Sequence, residues 1–110
     1  MTPELKERDT TAQIKGFLES RGWYGVRLQS GVVRGITRNS FMRLGKKGIT
    51  DWIFVRAREA LFVEVKRSGA KLSKDQERWH EWAAIQGFLA IWADGLGTFM
   101  EKYQKVIGLR

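Results

Sequence analysis

The segment GITDWIFVRAREALFVEVK, residues 48–66, decides the fold and carries the candidate site. Two apolar runs rich in β-branched and aromatic residues, 51–55 and 60–65, flank a polar break, and this pattern is typical of a β-hairpin. If the turn is centred between Ala57 and Arg58, residues equally far from that centre face each other. Asp51 then lies opposite Glu64, and two carboxylates share one face of the sheet.

A third charge joins this pair from the second strand. Because side chains alternate along a strand, Glu64 and Lys66 project to one face while Val63 and Val65 project to the other, into the core. Two adjacent carboxylates repel each other unless they share a proton or bind a divalent cation. With no cysteine and one histidine in the chain, oxygen ligands favour Mg²⁺ or Mn²⁺ over zinc.

These motifs resemble the VRR-NUC branch of the PD-(D/E)xK nuclease superfamily, in which G-[VI]-x-D, E-[VF]-K and L-S-x-x-Q recur in this order. The matching residues are Gly48-Ile-Thr-Asp51, Val63-Glu-Val-Lys66, Gly69, Leu72-Ser73 and Gln76. The resemblance extends from the first helix to the strand near Trp92. It departs at Thr50, where the family usually carries a proline that makes no metal bond.

The resemblance implies a fold and a set of site residues. The fold is α/β with a restriction-endonuclease-like core, αβββαβ, whose mixed sheet is flanked by helices. Asp51, Glu64 and the Val65 carbonyl would bind one or two Mg²⁺ or Mn²⁺ ions, and Lys66 would orient or deprotonate the attacking water. Gln76 would lie near the site.

A glutamate on the first helix reaches the metal site in this family. Counting back from Arg21-Gly22 places that position at Glu7, with Glu4 as the competing assignment. The spacing supports Glu7, because two helical turns separate it from the apolar residue Ile14 and bring it to nearly the same face. Both acids also suit the positive end of a helix dipole without any catalytic role.

The composition fits a nucleic-acid partner. At 110 residues we expect one domain spanning residues 1–110, and 20 basic against 12 acidic residues give a net charge of +8 and a pI near 10.2. Such a surplus attracts polyanions. The polar first residues and the absence of cysteine favour a cytoplasmic setting without a signal peptide. No apolar run approaches the roughly 20 residues of a membrane span, and nothing indicates a small organic cofactor.

The segment between the first strand and the hairpin, residues 30–47, contains five basic residues and no acid. It is either a mobile loop with solvated charge or an arm that follows phosphates. Phe41, Met42 and Leu44 indicate that part of it forms a strand or packs onto the core. The candidate nucleic-acid-binding residues are Arg34, Arg38, Arg43, Lys46 and Lys47.

The remaining elements follow from periodicity and capping signals. We expect a first helix over residues 3–20, a first strand over 23–29 and a buried strand over 88–93. Ser73 and Gln76 form a capping box that begins a second helix, which ends at Gly87. Thr98 and Glu101 show the same pattern before a short amphipathic helix.

The second helix carries four residues that we expect on its buried side, and it also carries the chain's one histidine. The four residues are Trp79, Trp82, Ala83 and Ile85. A lone helical histidine is usually a surface or packing residue, and His80 lacks the partners of a zinc site.

Three functions of different class remain open from the sequence, and the third is a structural or interaction protein whose charge only aids solubility and which would bind any DNA weakly. The first is a metal-dependent, structure-specific DNA endonuclease, for which the resemblance implies a homodimer that cuts Holliday junctions. The second is a noncatalytic nucleic-acid-binding module on a nuclease-like scaffold, which would bind DNA with a steep salt dependence and no cleavage.

Overall fold

The structure, a computed structural model, describes residues 6–28 and 50–108 and the backbone of residues 31–34 and 41–44. Three helices alternate with strands in the described part of the chain. In order, the elements are α1 (Glu7–Glu19), β1 (Tyr24–Arg27), β2 (Gly31–Arg34), β3 (Phe41–Leu44), β4 (Trp52–Arg56), β5 (Glu59–Val65), α2 (Lys74–Ile85), β6 (Leu89–Ala93) and α3 (Leu96–Ile107). None of these helices combines the length and the apolar character that a bilayer crossing requires.

Four strands form a mixed sheet in the order β1-β4-β5-β6. The pairs β1-β4 and β4-β5 are antiparallel, whereas β5-β6 is parallel. A separate antiparallel pair joins β2 to β3, so the strand expected around Phe41–Leu44 is present and has a partner. The expectation of an α/β fold with a mixed sheet flanked by helices is confirmed.

The register of the central hairpin is the one that the sequence predicts. Trp52 pairs with Val63 and Arg56 pairs with Glu59, which leaves Ala57 and Arg58 as a two-residue loop. Ala57 has a positive φ of 51°, as the first residue of a type II′ hairpin turn requires. Because side chains alternate along a strand, this register also fixes which residues of β4 and β5 face the core.

The hydrophobic core lies between one face of the sheet and the helices α1 and α3. Its sheet side consists of Phe54, Leu61, Val63, Val65, Ile91 and Ala93, and its helix side consists of Ile14, Leu18, Phe99, Tyr103 and Ile107. The core also contains Trp23, whose indole N–H donates to the Tyr103 hydroxyl at 3.0 Å. Val63 and Val65 therefore point inward, as the alternation predicts.

Helix α2 covers part of the opposite sheet face. The Trp79 ring packs edge-on against Phe62 of β5, with 5.1 Å between centroids, and Ala83 is fully buried. The expectation that Trp82 and Ile85 are also buried is wrong, because they are 49% and 81% exposed. Positions 79 and 83 lie on the face that meets the sheet, since helical residues four apart share a face, whereas positions 82 and 85 lie to the side of it.

Helix α3 begins earlier than the sequence predicts. Its N-cap is Gly95, no side chain caps it, and Thr98 already lies within the first turn. The predicted capping box of Thr98 and Glu101 is therefore wrong. The expected apolar face is present, since Phe99, Tyr103 and Ile107 are buried.

Helix α3 also protects the outer edge of the sheet through Lys102. The Lys66 N–H donates to the Ala93 carbonyl, so alternate residues of β6 bond to β5 and the Trp92 carbonyl points to the free edge. The Lys102 ammonium donates to that carbonyl at 2.6 Å and lies 4.1 Å from the centroid of the Trp92 ring. Burial lowers the pKa of this amine.

The close approach of β1 to β4 predicts a size limit at Gly25. A Cβ at Gly25 would lie 2.6 Å from a ring carbon of the buried Phe54, so we expect Gly25→Ala to destabilise the fold by roughly 1–3 kcal/mol. Gly16→Ala is the matched control, because it lies in the exposed middle of α1 with no atom within 4 Å of an added Cβ. Gly16→Ala should stabilise the helix by up to about 1 kcal/mol. Thermal unfolding measures both changes, and equal shifts would contradict the packing of β1 on Phe54.

Candidate active site

A buried carboxylic acid lies at the centre of the candidate site. Glu64, the last but one residue of β5, is only 3% exposed. It shares the face of Phe62 and is turned towards α2, where the Gln76 amide donates to its Oε1 atom at 3.2 Å. Burial of a charged carboxyl without a partner is costly. The neighbouring residues must therefore either stabilise the charge of Glu64 or keep the carboxyl protonated.

These surroundings raise the pKa of Glu64 to about 7. Burial is the largest cause, and the negative charge of Asp51 is the second. The positive charge of Lys66 and the hydrogen bond from Gln76 act in the opposite direction, while the charge of Glu7 adds to the increase. The structure therefore couples all of the predicted catalytic side chains electrostatically to one buried group.

Asp51 precedes β4 and lies where the hairpin register would place it, one step beyond the pair of Trp52 and Val63. Its carbonyl accepts a hydrogen bond from the Leu28 N–H. The preceding Thr50 is fully buried, and its hydroxyl donates to the Trp52 carbonyl at 3.3 Å. The Thr50 side chain is thus held in place next to Asp51.

Lys66 follows β5 and is half-buried. Its backbone N–H is held by the Ala93 carbonyl at 2.9 Å, so the parallel pairing of β5 with β6 fixes the start of its side chain. Its charge lowers the pKa of Glu64, in agreement with a position near that carboxyl.

Gln76 combines the two roles that its sequence position suggests. Its side-chain oxygen accepts a hydrogen bond from the Ser73 N–H at 2.9 Å, and its own backbone N–H donates to the Ser73 hydroxyl at 3.2 Å. This is the predicted capping box. The remaining amide N–H group of the same side chain donates to Glu64, so the beginning of α2 and the buried acid are joined by one residue.

A cavity of about 350 Å³ opens beside Asp51 at the end of the sheet. Helix α1 and strands β1, β4 and β5 meet here. The lining residues are two acids, two arginines and three others: Glu7, Asp51, Arg8, Arg27, Thr11, Trp52 and Val65. Glu7 is exposed at the first position of α1, so the first helix does bring an acid to this cavity.

Comparison of the chain with protein-family models, with curated proteins and with solved structures gave no match. The assignment of a function therefore depends on the chemistry of the chain's own residues.

The donor set at this position fits a hard divalent cation better than a soft one. Among residues 6–28 and 50–108, no three His, Cys, Asp or Glu side chains are grouped as metal ligands would be. Asp51 and Glu64 with the Val65 carbonyl would leave most positions to water, as Mg²⁺ prefers. A cation bound there would offset the repulsion that raises the pKa of Glu64. Direct ligation by Glu7 stays a prediction.

His80 takes no part in the cavity. Its ring lies edge-on to Trp79 at 5.3 Å, and its Nε2 atom is buried with no hydrogen-bond partner among the described residues. Burial, and secondarily the charge of Lys102, lower its pKa to about 4. A neutral packing role, the usual one for a lone helical histidine, agrees with these surroundings.

Several predicted residues cannot be compared with the structure. The side chains of Arg34, Arg38, Arg43, Lys46 and Lys47 lie outside the described part of the chain, and so does Glu4. Their proposed contact with nucleic acid stays a prediction.

Sequence reasoning missed Arg27. This residue ends β1 and lines the cavity on the side of Trp52, its cross-strand partner. An arginine at the end of a short strand has no distinctive sequence pattern. Only the pairing of β1 with β4 could have indicated it.

The raised pKa of Glu64 predicts a specific pH dependence of stability. The ordinary pKa of a glutamate is 4.5, and that of Glu64 in the folded chain is about 7. At pH values between these two, Glu64 keeps its proton in the folded chain and loses it in the unfolded chain. Raising the pH through this window should therefore lower the free energy of unfolding, by up to about 3 kcal/mol. Glu64→Gln stays neutral, so we expect its advantage over the wild type to be absent below the window and largest above it.

Denaturant unfolding at pH values across the window measures this difference. Glu81→Gln, an exposed change on α2, is the control and should shift stability little at any pH. A Glu64→Gln advantage that does not vary with pH would contradict the raised pKa.

Proposed function

We propose that this protein is a divalent-metal-dependent DNA endonuclease that hydrolyses phosphodiester bonds. The observation that carries the proposal is the buried Glu64, whose pKa is raised by burial and by Asp51, with Lys66 acting on the same carboxyl. A surface cluster of ion pairs would leave these groups solvated and would be worth about 0–1 kcal/mol per pair. A buried acid with a perturbed pKa is more typical of a functional site.

Each residue has a proposed role in the reaction. Asp51, Glu64 and the Val65 carbonyl would hold Mg²⁺ or Mn²⁺. When bound, such an ion lowers the pKa of water and offsets charge on the phosphate. Lys66 orients or deprotonates the attacking water and balances the negative charge that develops on the phosphate. Gln76 fixes the Glu64 carboxyl, and Glu7 completes the outer contacts of the site.

The order of elements supports the restriction-endonuclease-like core that the VRR-NUC resemblance implies. Leaving aside β2, β3 and the last helix α3, the elements α1, β1, β4, β5, α2 and β6 follow the order αβββαβ. The net charge of +8 suits a DNA substrate. Cutting of branched DNA such as a Holliday junction by a homodimer is the narrower form of the proposal, because symmetric incision of two strands suits a twofold assembly.

The alternative is a nucleic-acid-binding module without catalysis. It is favoured by the finding that no third ligating acid joins Asp51 and Glu64 within the described ranges. Such a module would bind DNA with a steep salt dependence in the absence of any metal.

Cleavage assays distinguish these two functions. We expect the wild type to cut DNA with Mg²⁺ or Mn²⁺ and not with a chelator, and Glu64→Ala and Lys66→Ala to lose at least about 100-fold in rate, the lower range for a general base. A panel of four-way junction, flap, nicked and linear substrates with mapped cut sites identifies the preferred structure. Arg58→Ala, in the hairpin turn at the far end of β4, is the control. Cleavage in chelator, or full activity in both variants, would reject the catalytic proposal.

Metal binding can be measured without DNA. Mg²⁺ or Mn²⁺ at 100 times its Kd should stabilise the wild type by about 2.7 kcal/mol, because it binds the folded chain. We expect Asp51→Asn and Glu64→Gln to lose most of this effect and Glu81→Gln to retain it. Thermal unfolding with and without metal gives the values, and equal metal shifts in all four proteins would place any cation elsewhere.

A further inference from the structure

Arg27 occupies a defined position at the cavity. It is the last residue of β1 and pairs with Trp52, which itself pairs with Val63. Cross-strand partners project to the same face, so Arg27 lies in one row with Trp52 and Val63 on the α1 side of the sheet. Its side chain lines the same cavity as Asp51 and Glu7.

The charge of Arg27 is available to a ligand. Within the described part of the chain Arg27 forms no ion pair, although the cavity that it lines also contains two acids. The other cavity arginine, Arg8, has its Nε atom 4.0 Å from Asp9. A guanidinium offers five N–H donors in a fixed plane and matches the oxygens of a phosphate.

The cavity therefore contains both acidic and basic side chains. Acids alone would repel a phosphodiester, and arginines alone would not hold a divalent cation. A phosphate would suit both kinds of side chain, because its nonbridging oxygens could accept hydrogen bonds from the guanidinium while a cation held by the acids would offset its charge.

We propose that Arg27 is a substrate-binding residue that donates hydrogen bonds to a nonbridging oxygen of the DNA phosphate at the reaction centre. This inference rests on the proposed endonuclease function, and it adds a residue that orients the phosphodiester from the β1 side. Arg27 would hold the phosphate beside Asp51, which lines the same cavity.

Binding measured without catalysis tests the contact directly. A labelled DNA duplex and a labelled four-way junction are titrated in chelator over a series of salt concentrations. We expect Arg27→Ala to bind about tenfold or more weakly, as for loss of a hydrogen bond between charged groups, and its salt slope to fall by about one. Arg27→Lys should restore the slope and only part of the affinity, because it retains the charge and loses the planar fork. Arg58→Ala, exposed in the hairpin turn, should leave both values near those of the wild type.

Cleavage with Mg²⁺ supplies the second measurement. We expect Arg27→Ala to lower kcat/KM at least tenfold, with Arg27→Lys intermediate. If Arg27→Ala does not fold, as judged by thermal unfolding, Arg27→Lys is compared with the wild type instead. We then expect a salt slope like that of the wild type and a lower affinity. Arg27 variants that match Arg58→Ala in affinity, slope and cleavage would overturn the inference.

The two proposals fail separately. A wild type that binds DNA through Arg27 but does not cut it with any metal would reject the endonuclease and, with it, a place for Arg27 at a reaction centre, while the phosphate contact would stand. A wild type that cuts DNA equally well without Arg27 would reject the contact alone.

Discussion

The burial of the Glu64 carboxyl is the constraint on which the rest of the site depends. A strand residue that is 3% exposed would ordinarily be apolar, and an acid there is tolerated only with partners close by. Gln76 supplies a hydrogen bond, and Lys66 supplies an opposite charge. Since Gln76 also caps α2, the helix cannot move away from β5 without exposing or unpairing the acid. The geometry of the site and the position of α2 are consequently set by the same contact.

Much of the central hairpin could be predicted from the sequence because it depends on local rules. Period-two alternation and a short polar turn define one register, and a shift of one residue would have turned Val63 and Val65 away from the core. The capping box at Ser73 could be predicted for the same reason, because Gln76 lies three residues further on. These local rules also brought the acids and the lysine of the site to one end of the sheet.

Features that depend on tertiary packing could not be predicted in this way. Trp82 and Ile85 are apolar, but they lie to the side of the face of α2 that packs on the sheet through Trp79 and Ala83, so they stay exposed. Thr98 has the sequence pattern of a cap, although the helix begins at Leu96 with Gly95 as its N-cap. Arg27 reaches the cavity only because β1 pairs with β4 and not with a neighbour in sequence.

The lysine that bonds to the Trp92 carbonyl has a consequence for how copies of the protein can meet. An unprotected outer strand is a template for sheet extension, and natural proteins block such edges with inward-facing or covering charges. The Lys102 ammonium donates to the outward-pointing carbonyl of Trp92 in β6 and lies over the indole ring of the same residue. An incoming strand would have to displace this charged side chain before it could form a backbone hydrogen bond to that carbonyl. Self-association by addition of strands to this end of the sheet is thereby disfavoured, and the protein is guarded against fibrous growth at its parallel edge.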